Sequence, residues 1–149
     1  MKKNSDPIKH LLRVDAILAE VIKRAPVPKW EKSTDFFRSL VEDIINQQLS
    51  DKASATISKR FSALFPRLPY TPKQVLGLST ETIRRAGISY AKVSYIKDLA
   101  KHVVEDRLNF SNIHKLQDKE VIVHLTQVKG IGRWTAEMFL MFSLGREDV

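Results

Sequence analysis

Apolar residues recur at helical spacing through most of the chain. Leu11, Val14, Leu18 and Val21 form one apolar face between Pro7 and Pro26, which predicts a helix there. The Ala25-Pro26-Val27-Pro28-Lys29-Trp30 stretch cannot continue that helix and reads as an extended connection. Ser33 or Thr34 can cap the next helix, where Phe37, Leu40, Val41, Ile44 and Ile45 make a stripe strong enough for a central core helix. It runs into the polar cluster Asn46-Gln47-Gln48-Leu49-Ser50, after which a helix is predicted from Asp51 to about Phe65, with Ser50 as its cap.

Pro66, Pro69 and Pro72 mark a loop, with Thr71-Pro72 suited to the cap and first turn of a short helix. Ser79 to Ala86 reads as a short helix stopped by Gly87, and Ser89 caps another carrying Val93, Ile96, Ala100 and Val103. Asn109 to Asn112 is a break. Asp118 can cap a helix to Val128, and a last helix runs from Arg133 to about Leu144. That helix is apolar on more than one side (Trp134, Met138, Phe139, Leu140, Met141, Phe142), so burial nearly all round is expected. With no strand series, the predicted fold class is all-α: a single helical domain over residues 1–149, with a helix-hairpin-helix at about 118–144.

Composition narrows the class of partner. In 149 residues, 25 Lys+Arg face 17 Asp+Glu, leaving a net charge of +8. That balance favours a polyanion, although the basic residues are spread and any patch must be assembled by the fold. Cysteine is absent, which excludes disulfides, thiolate metal sites and a Cys nucleophile. Met1-Lys2-Lys3 leads into polar residues, not an apolar signal segment, and the longest apolar run, Met138 to Phe142, is far too short to span a bilayer. The expectation is an intracellular protein of cytoplasm, nucleoid or nucleus.

Two stretches carry candidate chemistry. Between two helices, Gly130-Ile131-Gly132 permits backbone conformations with positive φ, so the turn's N–H groups and the next helix's first amides can face an anion. In a basic protein that anion is a phosphate, held without reading sequence; the alternative is a plain helix–Gly–helix corner. Gln47 and Gln48, directly after a core helix, are either a solvated helix end or a pair of amides offered to a ligand. Gly87-Ile88-Ser89 is an echo of the later turn.

These stretches resemble the helix-hairpin-helix DNA glycosylase superfamily, in particular its 3-methyladenine DNA glycosylase II branch. The resemblance rests on Ile44-Ile45-Asn46-Gln47-Gln48-Leu49-Ser50, on Gly87 to Lys92 with Tyr95-Ile96, on Lys129 to Ala136, and on Glu137 to Val149, in the family's order. It implies a monofunctional N-glycosylase that flips alkylated bases such as 3-methyladenine out of double-stranded DNA during base-excision repair. A non-catalytic helix-hairpin-helix DNA-binding module is the alternative, and a helical interaction domain a third.

Under the resemblance Gln48 is the plug that fills the space left by the flipped base, with Gln47 and Ser50 beside it. Lys129, Gly130, Gly132, Arg133 and Thr135 grip phosphates. The carbonyls of Thr126, Val128 and Ile131 match positions that can hold a monovalent cation, Na+ or K+, and no other cofactor is implied. Bifunctional relatives place a lysine at the position of Trp134. Tryptophan has no amine, so Schiff-base chemistry through this position is excluded; Trp134, with Met138 one turn on, is instead expected to line the base pocket, where an aromatic face suits a cationic alkylpurine. Trp30 is a further candidate across the cleft. The family's catalytic aspartate is expected beyond Val149, so no catalytic residue is assigned within the chain, and Asp148 is not promoted to that role. The chain thus reads as a truncated, single-lobe monomer that binds DNA with little or no excision.

Overall fold

The computed structural model describes residues 6–25, 33–147 and 149. All the regular structure among them is helical, and the chain divides into two compact units, residues 1–30 and 31–149.

The first unit holds α1 (Pro7–Val14) and α2 (Ala16–Arg24). The single helix expected here is broken at Asp15. Its backbone is extended (φ −131°, ψ 106°), and its carboxylate accepts from the N–H groups of Ile17 and Leu18 at 3.0 and 2.9 Å, so the residue ends one helix and caps the next. The Pro26–Trp30 connection predicted to be extended lies outside the described residues.

In the second unit α3 (Phe36–Asn46) is the central helix. Its five predicted core positions, Phe37, Leu40, Val41, Ile44 and Ile45, are all buried. The cap, however, is Asp35, not Ser33 or Thr34: its carboxylate accepts from Arg38 N at 3.0 Å, while the Ser33 hydroxyl accepts from Asp35 N and from Ser39 Oγ. Around α3 lie α4 (Asp51–Ser62), α7 (Tyr90–Val104) and α9 (Arg133–Phe142), each packed directly on it. The short helices α5 (Pro72–Gly77) and α6 (Thr80–Arg85) brace α7. Thr71 and Gln74 close a reciprocal capping box at the start of α5, as Thr71-Pro72 foretold. The break at Asn109–Asn112 turns out to be a 3₁₀ helix, Phe110–Lys115, capped by the Asn109 side chain. Next, α8 (Asp118–Leu125) begins after Gln117, whose N–H is held by Glu120 at 2.7 Å; it stops three residues short of the predicted Val128.

The last helix departs most from expectation. Ala136, Phe139 and Leu140 are buried, and Phe139 meets Phe36 edge-on with centroids 5.5 Å apart, but Trp134 is 72% exposed and Phe142 is 42% exposed. Thus α9 is covered on one side, not all round. Its C-terminal turn is closed by Gly145 (φ 67°) and by Arg146, whose guanidinium donates to the carbonyls of His114 and Leu116.

Candidate nucleic-acid interface

The loop after α3 is held from two sides. Lys92, in the first turn of α7, donates from Nζ to the carbonyls of Ile45 (2.8 Å) and Gln47 (2.6 Å), satisfying acceptors at the open end of α3. Its burial there lowers the ammonium's pKa. From the other side, Gln47 Nε2 donates to the carbonyl of Gly130 at 2.9 Å, linking the loop to the α8–α9 turn. Between these anchors Gln48 takes a left-handed conformation, φ 57°, unusual for a residue with a side chain. Its amide makes no hydrogen bond among the described residues, and it is exposed at the tip of the loop. The two glutamines are therefore unequal: Gln47 is committed to the fold and Gln48 is free.

The two glycines of the α8–α9 turn also differ. Gly130 has φ 79° and lies so close to Tyr95 that a Cβ would overlap its ring. Gly132 is extended (φ −90°, ψ 176°) with nothing within 4 Å of its Cβ direction, so a positive φ is required at one glycine and not at both. Between them Ile131 is buried, and its N–H closes the turn on the carbonyl of Val128 at 3.1 Å. Lys129 N donates to Asp98 Oδ2 of α7 at 2.9 Å. Among the described residues no acceptor meets the N–H groups of Gly130, Gly132, Arg133, Trp134 or Thr135, and no side chain caps α9. These five donors sit together at the positive end of a ten-residue helix.

One cleft joins these parts. It has a volume of about 570 Å³ and runs between Gln47 and Gln48, the start of α7 at Ser89 and Lys92, and the hairpin at Gly130, Trp134 and Thr135. Beside it is a recess of about 290 Å³ walled by Trp134 and Met138 on α9 and by Asp43, Asn46 and Gln48 opposite. The exposed Trp134 is not a core residue; its indole is available to stack. Asp43 was not singled out from the sequence, although a carboxylate one helical turn before Gln47, between buried Leu40 and Ile44, was a readable anomaly. Burial, and secondarily Glu42, raises its pKa to about 6.

The remaining sequence candidates are placed less centrally. Ser50 is exposed at the start of α4 without a side-chain cap bond, and it does not line the cleft. Lys129 and Arg133 are exposed on the hairpin, and Arg133 Nε is paired with Glu137 Oε1 at 2.7 Å. The carbonyls of Thr126 and Ile131 accept no hydrogen bond among the described residues, and that of Val128 accepts one. Trp30 and Asp148 lie outside the described residues. No group of three or more His, Cys, Asp or Glu side chains among the described residues could hold a metal ion, and no described helix is long and apolar enough to cross a membrane. Lys92, Tyr95 and Asp98 complete the arrangement. Sequence reasoning missed their roles because each acts on a loop distant along the chain.

A helical body carrying a glycine hairpin beside a glutamine-tipped loop finds its counterpart among proteins of DNA repair. Residues 41–146 match the HhH-GPD superfamily of base excision DNA repair proteins, and the chain belongs to that family. It is 35% identical over 119 residues to DNA-3-methyladenine glycosylase 1 of Schizosaccharomyces pombe, covering 76% of this chain and 50% of that protein. It is 30% identical to the alkylbase DNA glycosidase-like protein mag2 of the same organism, covering 100% of this chain and 74% of that one. The chain thus spans only half the length of the first of these relatives. Among solved structures, a DNA-3-methyladenine glycosidase from Bacillus halodurans superposes with a TM-score of 0.82 at 40% identity, over 98% of this chain and 67% of that one. The S. pombe 3-methyladenine DNA glycosylase Mag1 in complex with abasic DNA superposes with a TM-score of 0.84 at 30% identity, over 97% and 73%.

Proposed function

We propose that this protein is a base-excision N-glycosylase of the alkylation-repair type, which turns alkylated bases such as 3-methyladenine out of duplex DNA and releases them by hydrolysis. The observation that carries this reading is the convergence on one cleft of a free glutamine, an exposed indole and three residues with unpaired amides, Gly130, Trp134 and Thr135. The relatives named as 3-methyladenine glycosylases, and the one bound to abasic DNA, support it.

The unpaired amides of the hairpin, with Lys129 and Arg133, hold phosphates beside the lesion and fix the register of the duplex. Gln48 enters from the minor groove and fills the gap left by the everted nucleotide, hydrogen-bonding to the orphaned partner base. The left-handed turn at Gln48 presents that side chain at the loop tip, while Gln47 ties the loop to the hairpin and Lys92 ties it to α7. Trp134 and Met138 receive the base. A cationic alkylpurine gains roughly 0.5–2 kcal/mol from the indole face. The glycosidic bond then breaks with positive charge on the sugar, and water completes the monofunctional reaction, since Trp134 offers no amine. A Na+ or K+ ion held by the carbonyls of Thr126, Val128 and Ile131 would add to the attraction for the backbone; their spare lone pairs fit such an ion. The partner is double-stranded DNA and the acting form a monomer.

Binding to duplexes that are undamaged, abasic or alkylated, across a salt series, tests the reading. Gln48→Ala is expected to weaken binding to abasic and alkylated duplex more than to plain duplex. Equal losses on all three would remove the plug role. Release of free 3-methyladenine from methylated DNA separates an enzyme from a DNA-binding module.

A further inference from the structure

The recess next to Gln48 contains one group that the repair reading leaves unused. Asp43 lies on the wall opposite Trp134 and Met138. Its carboxylate makes no hydrogen bond and no ion pair among the described residues. It sits four residues before Gln47, whose N–H is spent on the Asp43 backbone carbonyl at 3.2 Å. Its flanks on α3 are the buried Leu40, Ile44 and Ile45, and the charge that acts on it, that of Glu42, has the same sign. The facing residues of α9, Trp134, Thr135 and Met138, bring no cation. A half-buried, unpaired carboxylate beside another acid is unfavourable in the free protein. What would relieve it is a positive charge delivered into the recess.

We propose that Asp43 is a specificity-determining residue that contacts the everted base and selects rings bearing a positive charge. The inference rests on the base-flipping reading above and adds the counter-charge to it. A purine alkylated on a ring nitrogen is cationic, so its faces are drawn to the Trp134 indole and its edge to the carboxylate. A neutral purine brings no charge to the same carboxylate, so it gains no such attraction. Trp134 alone would stack on either ring; Asp43 makes the distinction. Because the acid's pKa is near 6, it is mostly ionised at neutral pH and available for this role.

Three duplexes test the proposal with the full chain, by equilibrium binding. One carries 2′-fluoro-7-methyldeoxyadenosine, whose ring has no N–H to lose and keeps its positive charge at neutral pH, on a bond that resists cleavage. The second carries its uncharged 7-deaza-7-methyl counterpart, and the third a tetrahydrofuran abasic site. The wild-type protein should prefer the cationic ring over the neutral one by about tenfold, as charge-assisted contacts allow. Asp43→Asn, which keeps the shape, should bring that ratio to about threefold or less while abasic binding stays within about twofold of wild type. Asp43→Ser serves as a second variant, with circular dichroism confirming the fold of both. An undiminished preference for the cationic ring in both variants overturns the role of Asp43 while the flipping reading stands. If wild type binds neither abasic nor lesion duplex better than plain duplex, the flipping reading itself fails and Asp43 falls with it.

Discussion

A methyl group at Gly130 would overlap the Tyr95 ring, and the positive φ there adds a second penalty. Gly130→Ala should therefore lower stability by about 2–4 kcal/mol, read as a fall in denaturant midpoint, and should shift the hairpin off Tyr95. At Gly132 the methyl meets open space, and alanine costs only its poorer capping, within about 1 kcal/mol. Gly132→Ala should thus fold normally and isolate any effect on DNA binding. Asp43 supplies the complementary case. Its pKa is raised from 3.8 to about 6, so the folded state binds the proton more tightly than the unfolded chain. Its contribution is therefore most favourable below the unfolded pKa and is lost as pH rises toward 6. Asp43→Asn should accordingly be more stable than wild type by up to about 2–3 kcal/mol at pH values above 6, the gain disappearing toward pH 4. Urea unfolding across that range checks it. A variant that gains stability while losing discrimination among bases is the pattern expected of a functional acid held at a cost to the fold.

At the level of elements, the loop after α3 depends on Lys92. With the ammonium removed, the carbonyls of Ile45 and Gln47 lose their donor at a half-buried helix end, a loss of about 1–3 kcal/mol. Lys92→Met should fold, with a reduced midpoint, and should bind abasic duplex several-fold less well because Gln48 is no longer held at the loop tip. Plain-duplex binding should change little, which separates loop positioning from loss of a phosphate contact. Much of this element structure was legible beforehand. The stripe from Phe37 to Ile45, the Thr71-Pro72 start, the Ser89 cap and the Gly130 turn are local signals, set by spacing within a few residues. Where two neighbouring polar residues competed for one role, spacing did not choose between them: Asp35 caps α3 in place of Ser33 or Thr34, and Asp15 both ends α1 and starts α2. The burial of α9 was overread because hydrophobicity states what a face prefers, not what covers it. The cleft itself was legible only as a set of motifs. Gln47 reaches Gly130 across 83 residues and Lys92 reaches Gln47 across 45, pairings that no periodicity reports.

For the whole molecule, the surplus of 25 basic over 17 acidic residues predicts attraction to DNA without saying which cations deliver it. Lys129 and Arg133 are both exposed on the hairpin, yet they are not equivalent. Lys129 makes no ion pair among the described residues, whereas the Arg133 guanidinium is already engaged by Glu137 on the next turn of α9. A phosphate approaching Arg133 must compete with that carboxylate, and it also meets the carboxylate's charge. Each phosphate neutralised contributes about −0.9 to the slope of log K against log salt. Lys129→Ala should therefore flatten the slope by about one unit on every duplex, damaged or not. Arg133→Ala should flatten it less, because a partly neutralised guanidinium displaces fewer counterions. Glu137→Gln provides the decisive contrast. By releasing Arg133 and removing a negative charge from the hairpin, it should tighten binding to plain and abasic duplex alike and steepen the slope. Titrations of the three variants from low to moderate salt read this directly. If Glu137→Gln leaves both affinity and slope unchanged, Arg133 does not face the backbone, and the grip on DNA belongs to the unpaired amides and Lys129 alone.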